Sequence, residues 1–314
     1  MPRVSVIIPV YKSEPYIRKC AESLFGQTLG DMEFVFVDDA SPDRSIEVLG
    51  EVLDAFPERK SQVKVIRHGK NSGSAAARIT GLKNVTGDFV GWCDSDDYVD
   101  PEMYRLLLEK AESDGCDVVI CNYYRTFGEQ VIGVKKQVLS ENVLSAMMME
   151  RMSWSLCPKI TLRSLYDGVV YPAGDMGEDM VLTAQTTYKA KKIGFVDRPL
   201  YYYVTYETSI CNVQGKDNIL GRYRQSKANV DIILGFIRAN SVFPENSSEI
   251  INLKYHVRMH LMRLIHEKEV YRLWRSTYPE IDWKILFAKK ISRRRKLNFL
   301  AVYFRVYTLL NRSM

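Results

Sequence analysis

The sequence predicts an α/β fold: a central, largely parallel sheet with helices on both faces, followed by a helical C-terminal extension. Three observations carry this. Short apolar runs alternate with stretches of helical periodicity through the first 122 residues. The connections are short, so each strand–helix–strand unit closes as a right-handed crossover between parallel strands. Polar residues gather behind successive strands, at the sheet edge where open α/β sheets bind ligands.

The strands expected in this half are Val4–Val10, residues 33–37, Val63–Arg67, Phe89–Trp92 and residues 117–121. Between the first two, Ile17, Cys20, Ala21 and Leu24 follow i, i+3, i+4, i+7 spacing and give a helix with one apolar face. A second helix carries Ile46, Leu49, Val52 and Leu53 as its stripe, with Ser41 as N-cap and Pro42 after it. Residues 75–82 form a third helix, and residues 101–113, opened by Pro101, form a fourth.

The strand ends hold the chemistry. Pro9 and Tyr11 follow the first, and Asp38, Asp39, Ala40 and Ser41 the second. Behind the third come Asn71, Ser72 and Gly73, then Arg78 on the next helix. Behind the fourth, Asp94, Asp96 and Asp97 stand within four residues. Carboxylates so crowded repel one another unless a cation sits among them. A hard divalent ion such as Mg²⁺ or Mn²⁺ takes oxygen ligands, commonly one or two carboxylates plus substrate phosphates. The same residues also read as a solvated acidic turn.

Composition narrows the classes. The chain has 314 residues, 46% hydrophobic and 26% charged, and can bury a large core. It opens directly on VSVIIPV, so no secretory signal is expected, and no run of about 18 apolar residues suggests a membrane span. The six cysteines (Cys20, Cys93, Cys116, Cys121, Cys157 and Cys211) lack metal-type spacing and sit mostly in apolar segments, as reduced thiols of a cytoplasmic protein would. The net charge is +6, but residues 281–314 hold nine Lys and Arg against Asp282, a local +8 that leaves −2 for residues 1–280. The basic character therefore belongs to the tail, and no nucleic-acid partner is expected. Neither GxGxxG nor GxxxxGK[ST] is present, which argues against dinucleotide and P-loop sites.

Four stretches in order, VSVIIPVYKSEPYIRKCAESLFGQT, FVFVDDASPDRS, NSGSAAARITGL and GDFVGWCDSDDYVDPEMY, resemble the family 2 glycosyltransferases, which have the GT-A fold. Asp-x-Asp alone is common; the four together are specific. The resemblance is close over residues 3–125 and resumes over residues 154–209. It implies an inverting enzyme that uses a nucleotide-diphospho-sugar, most commonly a UDP-sugar, with Mn²⁺ or Mg²⁺. Pro9 and Tyr11 would line the base pocket, and Asp39 would accept hydrogen bonds from the base. Asp38 reads rather as a helix cap. Gly73 would let the backbone approach the donor closely. Arg78 resembles the family's basic residue near base and phosphates, or is a surface arginine. Asp94 would hold the ribose or sugar and Asp96 would ligate the metal; Asp97 has no single reading.

Further along, residues 123–138 suit short antiparallel strands, and residues 140–152 a helix capped by Ser140. The stretch WSLCPKITLRSL, residues 154–165, resembles the family's Trp…Lys segment leading to the acceptor half. That implies acceptor contacts from Trp154 and Lys159, although Trp154 reads equally as a core residue. Gly177, Glu178, Asp179 and Met180 precede a helix with Val181, Leu182 and Ala184. Acidic residues suit a helix N-terminus on electrostatic grounds alone. The resemblance makes this pair the catalytic one, with Asp179 as general base and Glu178 beside it. Residues 199–203 match an edge strand, and Ser209 and Ile210 a loop beside the phosphates.

Residues 216–240 and 248–277 read as helices separated by Phe243, Pro244, Glu245 and Asn246. His256 and His260 stand four apart with no carboxylate in reach, and read as structural. Residues 297–310 are apolar and aromatic but only 14 long and interrupted by Arg305, which suits a buried or interfacial helix. Residues 289–314 either dock on an anionic membrane, through their cations and Phe299, Tyr303, Phe304 and Tyr307, or pack on the catalytic domain.

The sequence thus divides into a glycosyltransferase domain over residues 1–215, with a donor half at 1–125 and an acceptor half at 126–215, and a helical region over 216–314. The expected reaction moves a sugar to a hydroxyl of a saccharide or lipid-linked saccharide in cell-surface polysaccharide synthesis, in the cytoplasm or at the inner face of the cell membrane. The alternatives are an inactive sugar-nucleotide-binding or scaffold subunit, and a sugar nucleotidyltransferase. The latter wants a glycine-rich basic loop where this chain has YKSEPY.

Overall fold

The apolar runs of the N-terminal half become buried strands because a parallel sheet covered on both faces leaves no polar side. The computed structural model describes residues 2–137, 142–206 and 215–306. The chain forms two compact units: Met1–Leu139 with Trp154–Asn212, and Ser140–Ser153 with Val213–Met314.

The first unit runs β1 (Val4–Val10), α1 (Ile17–Phe25), β2 (Met32–Asp38), α2 (Ser45–Asp54), β3 (Val63–Arg67), α3 (Ser74–Asn84), β4 (Phe89–Trp92), β5 (Tyr98–Val99), α4 (Met103–Asp114), β6 (Val118–Phe127) and β7 (Gln130–Lys135). After α5 (Val143–Met148), which belongs to the second unit, it resumes with β8 (Lys159–Leu162), α6 (Glu178–Lys189) and β9 (Ile193–Thr205). The strands share one sheet of order β3-β2-β1-β4-β8-β6-β9-β5, with β7 against β6. The expected parallel order holds for β3, β2, β1 and β4, whose pairings with one another are all parallel. The other half is mixed: β8 lies antiparallel between β4 and β6, while β9 runs parallel to β6.

Two local expectations change. Residues 199–203 are not an edge strand, because β9 is flanked by β6 and, at Tyr201 and Tyr202, by β5. Pro199 is tolerated inside the sheet because the β6–β9 register shifts beside it, between Cys121 and Tyr123. Ser41 is not the N-cap of α2, which starts only at Ser45. Its hydroxyl instead donates to Asp43 Oδ1 (2.6 Å), and its amide to Asp38 Oδ1 (2.7 Å). Asp43 also accepts from the Ser45 hydroxyl (2.6 Å), so the turn is tied by a carboxylate that the serines surround. Val6, Ile7, Ile8, Phe34, Phe36, Trp92 and Tyr104 are fully buried around the sheet. The five described cysteines are buried and unbridged; Cys211 lies outside the described residues.

The second unit adds α7 (Lys216–Ala239), α8 (Ser248–Met259), α9 (Lys268–Ser276), α10 (Lys284–Phe287) and α11 (Arg293–Tyr303) to α5. Asn142 caps α5 by accepting from the Ser145 amide; Ser140 lies outside the described residues. Residues 248–277 form two helices rather than one. The buried guanidinium of Arg258 donates to the Thr277 carbonyl (2.6 Å) and the Tyr278 carbonyl (2.8 Å), so the chain after α8 must turn back over it. It also pairs with Asp282 (2.7 Å) and lies over the Trp274 ring. His256 does have a carboxylate in reach, Glu150 at 2.9 Å from Nδ1.

Helix α3 presses on the sheet at Gly81, where an added Cβ would stand 2.3 Å from Cγ2 of Ile7. Gly81→Ala should therefore destabilise the fold by about 1–3 kcal/mol through overpacking. Thermal unfolding of the variant checks this, and an unchanged or raised Tm would show that the helix has slack.

Candidate active site

The parallel register pairs Val10 with Asp38 and Ile7 with Trp92, so the segments after β1, β2 and β4 leave the sheet side by side. Pro9, one residue before the end of β1, is half-buried, and Tyr11 beyond the strand is exposed. Asp39 is buried, and its carboxylate accepts from the amides of Ser72 (2.9 Å) and Gly73 (2.8 Å) and meets Nδ1 of His68 at 2.7 Å. Nε2 of His68 in turn meets the Thr80 hydroxyl at 2.9 Å. Asp39 thus ties the loop before α3 to the end of β2. Asp38 lies fully buried, within 2.9 Å of Arg67 Nε.

Arg78 is the centre of the site. Its side chain is 6% exposed and projects from the second turn of α3. Nη2 donates to Asp94 Oδ1 at 2.7 Å. Nε lies 3.5 Å from Glu178 Oε1 and 3.9 Å from Asp179 Oδ1. The guanidinium also lies over the Trp92 ring, 5.7 Å from its centroid. Three carboxylates from two distant segments therefore converge on one buried cation. Nε and Nη1 of Arg78 and Oδ1 of Asp179 are buried without a hydrogen-bond partner among the described residues. Unspent buried polar atoms of this kind call for a ligand or solvent.

The acidic turn behind β4 splits into two roles. Asp97 is buried and structural: Tyr201 donates its hydroxyl to Oδ2 (2.5 Å), and the Val204 amide donates to Oδ1 (2.7 Å). It pins β9 to the turn. Asp96 is bound to no such partner in β9. Burial, then the Asp94 carboxylate, lift it to about 6. Burial also raises Asp179, with Asp94 adding to the rise and Arg78 and Lys159 opposing it.

Among the described residues no cluster of three or more His, Cys, Asp or Glu is arranged as a metal cage. A cation shared with a diphosphate needs only one or two carboxylates. The donor set fits that use. Asp94, Glu178 and Asp179 surround one arginine with Asp96 close behind Asp94, and a diphosphate entering this surplus of negative charge needs a cation with it.

Some residues lie where their types did not foretell. Lys159 is buried at 3% exposure, its ammonium 3.3 Å from the Thr183 hydroxyl, which donates to the Trp154 carbonyl at 2.8 Å. Burial lowers this lysine to about 8, against the pull of Asp179. The pair proposed for the acceptor thus anchors the 154–159 segment to α6, one turn after Asp179. Trp154 itself is half-buried. Asp175 carried no sequence signal beyond an acidic residue in a loop. Its Oδ1 accepts from the Ala75 amide (2.9 Å) at the N-terminus of α3, and a Cβ at Gly73 (φ +91°) would stand 2.5 Å from its Oδ2. Only glycine fits there. Ser74 joins the two segments, donating to Glu178 Oε1 at 3.2 Å. Ser209 and Ile210 lie outside the described residues.

Residues 5–167 match the family model of glycosyl transferase family 2. The chain is 31% identical over 242 residues to the uncharacterized glycosyltransferase EpsJ of Bacillus subtilis (strain 168), covering 72% of this chain and 69% of that protein. It is 30% identical over 210 residues to a poly(ribitol-phosphate) beta-glucosyltransferase of Bacillus spizizenii, covering 64% of this chain and 32% of that one. Among solved structures, S. aureus TarS 1-349 in complex with UDP-GlcNAc superposes with a TM-score of 0.60 at 20% identity, covering 92% of this chain and 90% of that one. The mannosyltransferase PcManGT from Pyrobaculum calidifontis, in complex with GDP-Man and Mn²⁺, gives 0.54 at 17% identity, covering 98% and 86%.

Burial, then the adjacent Asp179 carboxylate, lift Glu178 to about 8, against the pull of Arg78. An ordinary glutamate titrates near 4.5, so between these values the folded chain holds a proton that the unfolded chain has lost. Stability should then fall as pH rises across that window. Glu178→Gln should flatten the decline of Tm between about pH 4.5 and 8. An unchanged slope would show that Glu178 is ionised in the folded chain throughout.

Proposed function

The chain belongs to glycosyl transferase family 2 and has its GT-A fold, and on that premise we propose an inverting, metal-dependent transfer of a sugar from a nucleotide-diphospho-sugar, a UDP-sugar, to an acceptor hydroxyl. One observation carries the reading. Asp179 presents a buried, unpartnered Oδ1 beside Arg78, at the strand edge that also holds Asp94 and Asp96. A proton acceptor and a cation suited to phosphate therefore stand next to each other, 3.9 Å apart, as a single displacement at their border requires.

The roles follow from the side chains. Pro9, Tyr11 and Asp39 bound the base pocket, and Gly73 admits the Asp175 carboxylate that holds the loop beside it. Arg78 offers Nε and Nη1 to the donor, while Asp94 orients its ribose or sugar. Asp96, with Asp94 beside it, would hold Mn²⁺ or Mg²⁺, whose charge offsets that of the departing diphosphate. Asp179 takes the proton from the acceptor hydroxyl as it attacks, and Glu178 steadies the start of α6 next to it. Trp154 and Lys159 shape the acceptor side through the anchored 154–159 segment. UDP as nucleotide is supported by the UDP-GlcNAc complex of TarS, and Mn²⁺ by that of PcManGT. The acceptor is a saccharide or lipid-linked saccharide of cell-surface polysaccharide synthesis, which the poly(ribitol-phosphate) relative supports. The reaction would take place in the cytoplasm, against the inner face of the cell membrane. No described helix is long and apolar enough to cross a membrane.

Turnover of UDP-sugars with and without Mn²⁺ tests the activity, and no release of nucleoside diphosphate from any nucleotide-sugar would overturn it. Asp179→Asn should slow the chemical step by roughly 10²–10⁴-fold and leave donor affinity nearly intact, since a base acts in the transition state. Glu178→Gln should be milder; the reverse order of losses would move the base to Glu178. Asp96→Asn should abolish both transfer and the Mn²⁺-dependent part of donor binding. Calorimetric binding of UDP, run beside the transfer assay, separates the two kinds of loss.

A further inference from the structure

Two aromatic residues of the C-terminal tail turn inward. Phe299 is fully buried against Tyr255 and Trp274, and Tyr303 packs on Arg275 and Trp283. Tyr307 lies outside the described residues. A different set faces out: Phe287 is 82% exposed, Leu297 62%, Phe304 59% and Trp283 45%. Arg293, Leu297, Leu300 and the C-cap residue Phe304 stand at i, i+4, i+7 and i+11, one stripe along α11 and its end. Phe299 and Val302 fill the opposite, buried side. An exposed helix stripe in water normally carries polar residues, and this one carries leucine and phenylalanine at its middle and end. Trp283 continues the stripe sideways, its ring 6.2 Å from that of Phe304. The backbone holds this bulky residue at φ +65°, a conformation that disfavours it.

Cations frame the apolar residues. Within the tail, Lys290 pairs with Glu249 and Arg295 with Glu150. Among the described residues, Lys289, Arg293, Arg294 and Lys296 pair with no carboxylate; all but the half-buried Lys296 are exposed. Four cations without counter-charges around Trp, Phe and Leu match an interface with anionic headgroups above and acyl chains below. Bulky apolar side chains at 59–82% exposure gain nothing from a phosphodiester backbone, which sets this surface apart from a nucleic-acid site. Tryptophan at the rim of the patch also suits the headgroup level of a bilayer.

We propose that α10, α11 and Trp283 form a docking face for an anionic bilayer, with Phe287, Leu297 and Phe304 entering the headgroup–acyl boundary and Lys289, Arg293, Arg294 and Lys296 meeting acidic lipids. This goes beyond the transferase reading and stands or falls without it, because the assay needs no sugar.

Co-sedimentation of the full chain with phosphatidylcholine vesicles, with and without phosphatidylglycerol, tests it. Binding should require the anionic lipid and weaken as salt rises. Arg293→Glu/Arg294→Glu/Lys296→Glu should lower partitioning by more than about tenfold, as reversal of several charges near the surface implies. Phe287→Ser/Leu297→Ser/Phe304→Ser should release the binding that survives high salt. Leu297→Ser alone serves where a triple variant fails to fold by circular dichroism. The idea is overturned if the wild-type chain ignores anionic vesicles, if it binds neutral ones equally, or if none of the variants loses binding. It is likewise overturned if light scattering finds a dimer that Leu297→Ser dissolves while vesicles bind nothing, which makes a second copy the occupant.

Discussion

A buried guanidinium with three carboxylates around it constrains the first unit more than any other contact. Arg78 cannot leave water uncompensated, and no single partner would suffice for the acids that surround it. So the turn behind β4 and the start of α6 must both reach α3. Gly81 lets α3 come close enough to the sheet, and the Trp92 ring lies beneath the cation. Asp175 and Ser74 then lock the approach of α6 from the other side. Burial lifts Asp96, Glu178 and Asp179 together, and the surplus of negative charge that remains adds to the rise.

Two neighbouring carboxylates show how one turn divides structure from chemistry. Asp96 and Asp97 are adjacent, so their side chains diverge. Asp97 turns inward to a hydroxyl and an amide of β9, and is used up there. Asp96 is left without such partners, and burial and then Asp94 weigh on its charge. The rigidity of the first makes the position of the second definite, which is what a site that must hold a cation needs.

The parallel half of the sheet was legible because its strands are continuous apolar runs with helical stripes between them. The motifs at the strand ends were legible for the same reason: an Asp or Gly there has no core to fill. Arg78 was ambiguous in sequence, since any helix carries arginines, and only its contacts distinguish it. The mixed half was harder to read. Nothing in KITL, the sequence of β8, says that it will insert between β4 and β6, because insertion is a matter of pairing and not of pattern. Asp175 and the Lys159–Thr183–Trp154 chain are equally silent, being contacts between residues of common type. In the tail, composition located the basic and aromatic character but not its orientation. Phe299 lies inside and Leu297 outside, two positions apart on one helix.

The insertion of β8 also governs the order in which the first unit can be completed. On both sides of its slot, β4 and β6 present unpaired backbone groups until residues 159–162 arrive. Those residues leave the ribosome only after Ser140–Ser153, a stretch that belongs to the other unit. A nascent chain that ends before β8 therefore leaves an edge of β4 and an edge of β6 without partners, both on strands of apolar sequence. Synthesis of this protein thus has an interval of its own, in which the strand edges that β8 will cover are still open.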